Sequence, residues 1–309
     1  MKIIVTGGAG FIGSHLVDRY IADGNDVFVI DNLSNSRTNH INPKAKLINL
    51  DIKKTKDIAN LISDLDPHII NHHAADIYVN ESFKFPAKTL KNNILGTINI
   101  LEGARKLKRL KKIIFASSGG AIYNELRHGS FKENRESHPQ SIYGISKYTC
   151  ELLLKNYYKK FGINFTILRY SNVYGSRQEF QKQPGVVTKF IECAIASKKL
   201  VINGTGEQTR DFIFIDDVVR ANIELSRKNI NGVFNISSNK EVSIVELANK
   251  IKVLMNNKLD FHYRNTKDVG MSRSVLSYKK ANDIFGWSPR IELDEGLKRT
   301  INYLRSKNL

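Results

Sequence analysis

Tyr143 and Lys147 stand four residues apart in Tyr143-Gly144-Ile145-Ser146-Lys147, at the start of an amphipathic run that reaches Phe161. Four residues is about one helical turn, so the two side chains share a face. A cation beside a phenol lowers its pKa from about 10, and each unit of that shift is worth about 1.4 kcal/mol. A phenolate tuned in this way is a general base for a hydroxyl group. The same spacing recurs at Tyr263/Lys267 and Tyr303/Lys307, so spacing alone decides nothing. Position decides: only Tyr143 opens a helix after a strand, Lys112 to Ala116, that runs into Ser117-Ser118. The Ser118 hydroxyl can bond the reacting oxygen and share its proton with Tyr143. Ser117 is the alternative, and either serine can instead satisfy local backbone groups.

A second chemical signature opens the chain. Lys2-Ile3-Ile4-Val5-Thr6 leads straight into Gly7, Gly10 and Gly13, and an amphipathic segment follows at once. This reads as a buried parallel strand, a tight turn and a helix N-terminus. Gly7 allows the turn, Gly10 lets backbone approach a pyrophosphate, and Gly13 lets the helix pack closely. Unpaired N–H groups and a partial positive charge at the helix start attract phosphate. The next apolar run, Val27 to Ile30, ends in Asp31. An acidic residue about 20 positions past the glycines suits a hydrogen bond to an adenosine ribose and repels a 2′-phosphate, which favours NAD over NADP. Arg37, close by, pulls the other way.

These groups need elements to hold them, and strand and helix signals alternate. Strands are expected at Lys46–Leu50, Ile69–Asn71, Lys112–Ala116 and Phe165–Tyr170. Helices are expected at Thr55–Leu65, Thr89–Leu107 and Tyr143–Phe161. Such alternation gives βαβ units: a Rossmann-like α/β fold with a doubly wound parallel sheet. After Gly175 the pattern loosens, with helices expected at Val186–Ala196, Asp216–Arg227 and Ser243–Met255 and a strand at Val233–Ile236. Residues 1–175 are expected to form the dinucleotide domain, segments near 212–240 to return to it, and 176–309 to form a smaller substrate-binding lobe. Ligands in such sheets bind outside the strand carboxyl ends.

Composition excludes several classes. The 309 residues are 41% hydrophobic and 25% charged, and no apolar run reaches a membrane span of about 20 residues. The first residues read as a strand, without a signal-peptide core. Cys150 and Cys193 read as reduced thiols of a cytoplasmic protein, and no metal-ligand spacing stands out. The net charge of +18 raises nucleic-acid binding, but the lysines are spread along the chain without an aromatic platform. A lysine-rich solvated surface that suits an anionic substrate is the better reading.

Taken together, the motifs resemble the extended short-chain dehydrogenase/reductase family, most closely its UDP-glucose 4-epimerase branch. The resemblance rests on the glycine-rich opening with Phe11 and Ile12, Asp31, His72-His73-Ala74-Ala75, Asn93-Ile94-Leu95-Gly96-Thr97 and Ser117-Ser118-Gly119-Gly120-Ala121-Ile122-Tyr123. It continues through Tyr143/Lys147, Leu168 to Gly175, Thr209 to Val218 and Phe285-Gly286-Trp287-Ser288-Pro289. It implies that Asp51 and Ile52 lie against adenine, that Asn32, Ala74, Ala75, Asn93 and Tyr170 border NAD, and that Lys147 also holds the nicotinamide ribose. Asn172, Arg210 and Arg273 are implied to hold the nucleotide diphosphate of a UDP-sugar; a guanidinium fork matches phosphate oxygens. Family dehydratases and decarboxylases carry acidic residues just after the serine or threonine, whereas this chain has Gly119-Gly120-Ala121-Ile122. That favours 4-epimerisation, in which C4 of the sugar is oxidised and then reduced, with Tyr143 as base. A dehydratase, reductase or 3-epimerase of the same family is the alternative; a non-enzymatic NAD- or nucleic-acid-binding protein is the alternative of another class. Three departures bear on the substrate: Asn124 replaces a usual glycine, Met271 after Gly270 replaces a usual aspartate, and the loop Tyr123 to His128 is unusual. Val275 falls where the family limits the room beside the sugar C2 group, which leaves plain and N-acetylated hexoses both open. The resemblance also implies a homodimer through the Thr89–Leu107 and Tyr143–Phe161 helices.

Overall fold

The computed structural model describes residues 1–36, 38–124, 128–178, 185–256, 260–266 and 271–307. Arg37, the central part of the Tyr123–His128 loop, Lys267 and Gly270 lie outside the described residues. By its internal contacts the chain divides into two units. The first comprises Met1–Asn124, Glu136–Arg169 and Val219–Phe234; the second comprises Glu125–Arg135, Tyr170–Val218 and Asn235–Leu309.

The first unit is built on six strands: β1 (Lys2–Thr6), β2 (Asp26–Asp31), β3 (Lys46–Asn49), β4 (Ile69–His72), β5 (Lys112–Ser118) and β6 (Phe165–Tyr170). With Gly232–Ile236 at one edge they form a seven-stranded parallel sheet in the order Gly232–Ile236, β6, β5, β4, β1, β2, β3. Strand order reverses beside β1, which pairs in parallel with both β2 and β4. β-branched runs such as Ile3-Ile4-Val5 and Ile113-Ile114 are fully buried because helices cover both faces.

The helix expected over Thr89–Leu107 is longer at its start and is not uniform. It runs through Pro86–Leu90, a π-helical turn at Lys91–Leu95, and Gly96–Ala104. Proline opens its first turn, where a missing N–H costs nothing. The helix Ile142–Phe161 is capped at both ends: the Ser141 hydroxyl accepts from the Gly144 amide, and Gly162 leaves in the left-handed region. Gly144 is required there, since a Cβ would fall 2.2 Å from the Ala121 carbonyl oxygen.

The second unit holds smaller sheets. Asn172–Tyr174 pairs in parallel with Phe212–Phe214, and Thr209–Arg210 lies between Val242–Ser243 and Arg273–Ser274. Asp211, buried, accepts from the amides of Ser238, Asn239 and Leu276. Burial pushes its carboxyl up to about 6 against the pull of those bonds. Trp287, also buried, donates its indole N–H to the Asp217 carbonyl. Among the described residues, no helix is long and apolar enough to cross a membrane.

Candidate active site

The carboxyl ends of β1 to β5 carry most of the chemistry-bearing side chains read from the sequence. Gly7 turns off β1 with φ +68°, and a Cβ there would lie 2.7 Å from the Ala74 amide nitrogen. A Cβ on Gly13 would fall 2.1 Å from the Gly7 oxygen, so the helix Phe11–Ala22 starts closer to the turn than any side chain permits. Gly10 differs: the nearest atom to its Cβ position is the Gly7 oxygen at 3.2 Å. The turn is therefore packed behind and open at Gly10. The Phe11 and Ile12 amides follow at the open helix start, a cradle suited to a pyrophosphate.

Asp31 has a structural task beside any ribose contact. Its Oδ2 accepts from the Ala9 amide at 3.1 Å, and its Oδ1 accepts from the Leu33 amide and the Ser36 hydroxyl at 2.8 and 2.9 Å. A carboxylate offers about four acceptor positions, so capacity remains for a ligand hydroxyl. Asn32 donates to Asp51 at 3.1 Å. Burial pulls the Asp51 carboxyl upward, but the Lys53 amide, Asn32 and the Lys53 ammonium outweigh it and hold it low. Ile52 is buried against Gly96, and its carbonyl accepts from Asn99 at 2.8 Å.

After β4, His73 and Ala74 both donate backbone amides to the Thr6 hydroxyl at 3.2 Å. His72 bridges Thr6 and Thr97 at 2.6 and 3.1 Å. Burial, reinforced by the charge on Lys147, holds His72 and His73 down to about 3, so both are neutral. Asn93, on the π-helical turn, accepts from the Asp76 amide at 2.7 Å and donates to the Asp76 carbonyl and to Ser146. It thus ties the loop after Ala74 and Ala75 to the helix that carries Tyr143.

Tyr143, Lys147 and Ser118 converge. Tyr143 is half-buried and lies within hydrogen-bonding reach of Ser118. The Lys147 ammonium donates to the Ala116 carbonyl at 2.9 Å and lies 4.9 Å from the Phe115 ring centre. The expected lowering of the Tyr143 pKa is overturned by its surroundings. Burial pushes Tyr143 up to about 12, with the Ser118 bond pulling only partly back. Burial also brings Lys147 down to about 8. Two groups that ordinarily titrate close together are thus driven apart, a pattern typical of acid–base sites.

Ser117 faces the other way. Its hydroxyl donates to the buried Glu151 carboxylate at 2.7 Å, and Arg169 grips the same carboxylate at 2.9 and 2.6 Å. Sequence reasoning missed Glu151, although it stands one helical turn after Lys147. Tyr170, buried, closes β6.

In the second unit, the Asn172 amide donates to the Asp211 carbonyl at 2.9 Å. Arg210 donates to the Thr209 and Met271 carbonyls at 2.7 and 2.8 Å, and burial lowers its pKa. Arg273 bonds Glu241 through Nε and Nη2 at 2.9 and 2.7 Å and donates to the Gly129 carbonyl. Arg273 in turn holds the Glu241 carboxyl below its usual range. Among the described residues, no group of three acidic, histidine or cysteine side chains could hold a metal ion.

A doubly wound parallel sheet with an open glycine turn beside a tyrosine–lysine–serine set defines a dinucleotide-dependent enzyme of the Rossmann class. Residues 3–237 match the family described as NAD dependent epimerase/dehydratase, and the chain belongs to that family. It is 43% identical over 307 residues to a putative UDP-glucose 4-epimerase of Methanocaldococcus jannaschii, covering 99% of each chain. A crystal structure of Thermotoga maritima UDP-glucose 4-epimerase with UDP-glucose superposes with a TM-score of 0.97 at 38% identity, over 100% of both chains. A UDP-glucuronic acid decarboxylase of Xenopus tropicalis is 30% identical, over 99% of this chain and 72% of its own length.

Proposed function

We propose that this protein interconverts a UDP-hexose and its 4-epimer. The observation that carries the reading is Tyr143 set beside Ser118 at the end of β5, with the buried Lys147 one turn along the same helix and bonded to the Ala116 carbonyl. The stretch after Ser118 favours epimerisation over elimination or decarboxylation: Gly119-Gly120-Ala121-Ile122 holds no acid.

NAD fits the turn, where Gly10 leaves room for its pyrophosphate; bound there, it supplies a hydride acceptor, a hydride donor and a positive ring charge. Asp31 takes the adenosine ribose, Asp51 and Ile52 border adenine, and Asn93 with Ala74 and Ala75 shapes the wall on the β4 side. Lys147 holds the second ribose and keeps positive charge beside the phenol. Tyr143 removes the proton from the sugar 4-hydroxyl and returns it to the same oxygen. Ser118 donates a hydrogen bond to that oxygen and fixes its position. Asn172, Arg210 and Arg273 hold the diphosphate, so that the sugar turns without leaving.

The substrate carries either a 2-hydroxyl or a 2-acetamido group, with Val275 beside C2. We also infer a homodimer. Phe83 and Phe85 are 58% and 57% exposed, and Ile145 and Leu152 on the adjoining Ile142–Phe161 helix are also exposed. Apolar groups gathered on packed helices mark an interface.

The test is incubation of the protein and NAD⁺ with UDP-glucose, UDP-galactose and their N-acetylated forms, read by NMR. A 4-epimer of unchanged mass is expected; a product lighter by water or carbon dioxide would contradict the reading.

A further inference from the structure

A buried ion pair lies behind the Tyr143–Lys147–Ser118 set. The Glu151 side chain is 0% exposed and that of Arg169, on β6, is 3% exposed. The guanidinium meets the carboxylate edge-on, Nε to Oε1 at 2.9 Å and Nη2 to Oε2 at 2.6 Å. Glu151 Oε1 also accepts from Ser117 at 2.7 Å. Arg169 lies 4.9 Å from the centre of the buried Tyr123 ring and bonds Ser137 at 3.4 Å. Ser117, Tyr123 and Ser137, from three further stretches of chain, therefore meet at this ion pair. Desolvating two charges is costly, and well-packed apolar residues of similar volume usually serve stability as well or better. What an ion pair adds is direction.

That direction falls on the site. Successive side chains of a strand point to opposite faces. Ser117, tied to Glu151, fixes the rotation of the end of β5, and Ser118, the next residue, is the hydrogen-bond partner of Tyr143. Glu151 also lies one turn from Lys147 on the same helix. We propose that Glu151 and Arg169, acting through Ser117, are positioning residues that set the aim of Ser118 toward Tyr143 and the field at Lys147. The proposal rests on the reading of Tyr143, Ser118 and Lys147 as the reacting side chains. The charged and titratable groups that act on Lys147 or feel its charge are Cys150 and Glu151 on its own helix, His72 at the end of β4 and His73 just after it, with Tyr143 one turn back on the helix. Of these, Glu151 and Cys150 hold the Lys147 pKa up against burial.

Two variants test this. Ser117→Ala removes one hydroxyl and leaves the ion pair whole. Glu151→Met with Arg169→Met removes both charges and keeps apolar bulk, so no charge is stranded. For each, kcat and KM for the UDP-hexose are measured, the thermal shift by NAD⁺ is recorded, and Lys147 is titrated by nitrogen-15 NMR, assigned with Lys147→Met. Both variants are expected to bind NAD⁺ as the parent does and to lose about ten-fold or more in kcat at unchanged KM. The double variant is expected to titrate Lys147 lower by about half a unit or more. A kcat within two-fold of the parent together with an unmoved Lys147 would overturn the proposal. If the double variant does not fold, Ser117→Ala decides by its kcat. If the parent itself turns over no UDP-hexose, the functional reading fails, and the Lys147 titration still decides the positioning role.

Discussion

Two tyrosine–lysine pairs with the same spacing sit in opposite surroundings. Lys147 is buried and Tyr143 half-buried at the start of a capped helix, and each is engaged by β5, through the Ala116 carbonyl and Ser118. Tyr303 and Lys307 end the helix Leu293–Lys307, with the ammonium 5.0 Å over the tyrosine ring and the lysine exposed. One spacing thus yields a pair engaged by a strand end in one place and a solvated cation–π pair in the other. Burial separates them: it moves Tyr143 to about 12 and Lys147 to about 8.

Removing the phenol oxygen breaks the comparison most sharply. Tyr143→Phe is expected to cut kcat by about 10³-fold, within the range for loss of a general base, while NAD⁺ still stabilises the protein against heat. Tyr303→Phe is expected to leave kcat within about two-fold, since a ring over a surface ammonium contributes only about 0.5–1 kcal/mol to stability. Removing the amine gives a smaller contrast. Lys147→Met is expected to lower kcat/KM by about 10²-fold, through both the charge beside the phenol and the ribose contact. Lys307→Met is expected to change nothing measurable in steady-state assays.

A further expected effect concerns acid. His72 and His73, neutral at about 3 in the fold, take up protons near 6.5 once unfolded. The unfolded chain therefore binds more protons between those values. Stability is complete above about pH 6.5 and falls as pH drops toward 3, by about 1.4 kcal/mol per unit for each histidine. Urea titrations at several pH values measure the slope. His72→Asn is expected to remove about half of it, and an unchanged slope would contradict the assignment.

The sheet was legible because its strands are buried on both faces and read as unbroken apolar runs between helices. Gly7, Gly10 and Gly13 were legible because each stands where a Cβ meets either backbone or open space. Other features depend on contacts far apart in sequence. The π-helical turn at Lys91–Leu95 aims Asn93 at both Asp76 and Ser146, and helical periodicity carries no trace of it. The direction of the Tyr143 shift was misread because spacing reports a neighbouring charge and burial reports the whole fold. Ser118 was the preferred serine with Ser117 as the alternative, and Glu151 claims Ser117. The i,i+4 relation of Lys147 to Glu151 was the available signal, and only the meeting with Arg169 gives it meaning. Arg273 likewise stood out as a cation, while Glu241, its bidentate partner, did not.

In the proposed epimerisation, C4 of the sugar loses and regains the same hydrogen while Tyr143 handles the hydroxyl proton. UDP-glucose deuterated at C4, incubated with the protein and NAD⁺ in ordinary water, tests it directly. UDP-galactose with deuterium retained at C4, and none washed into solvent, is expected. A 4-epimer carrying protium at C4, or no 4-epimer from any UDP-hexose, would contradict it.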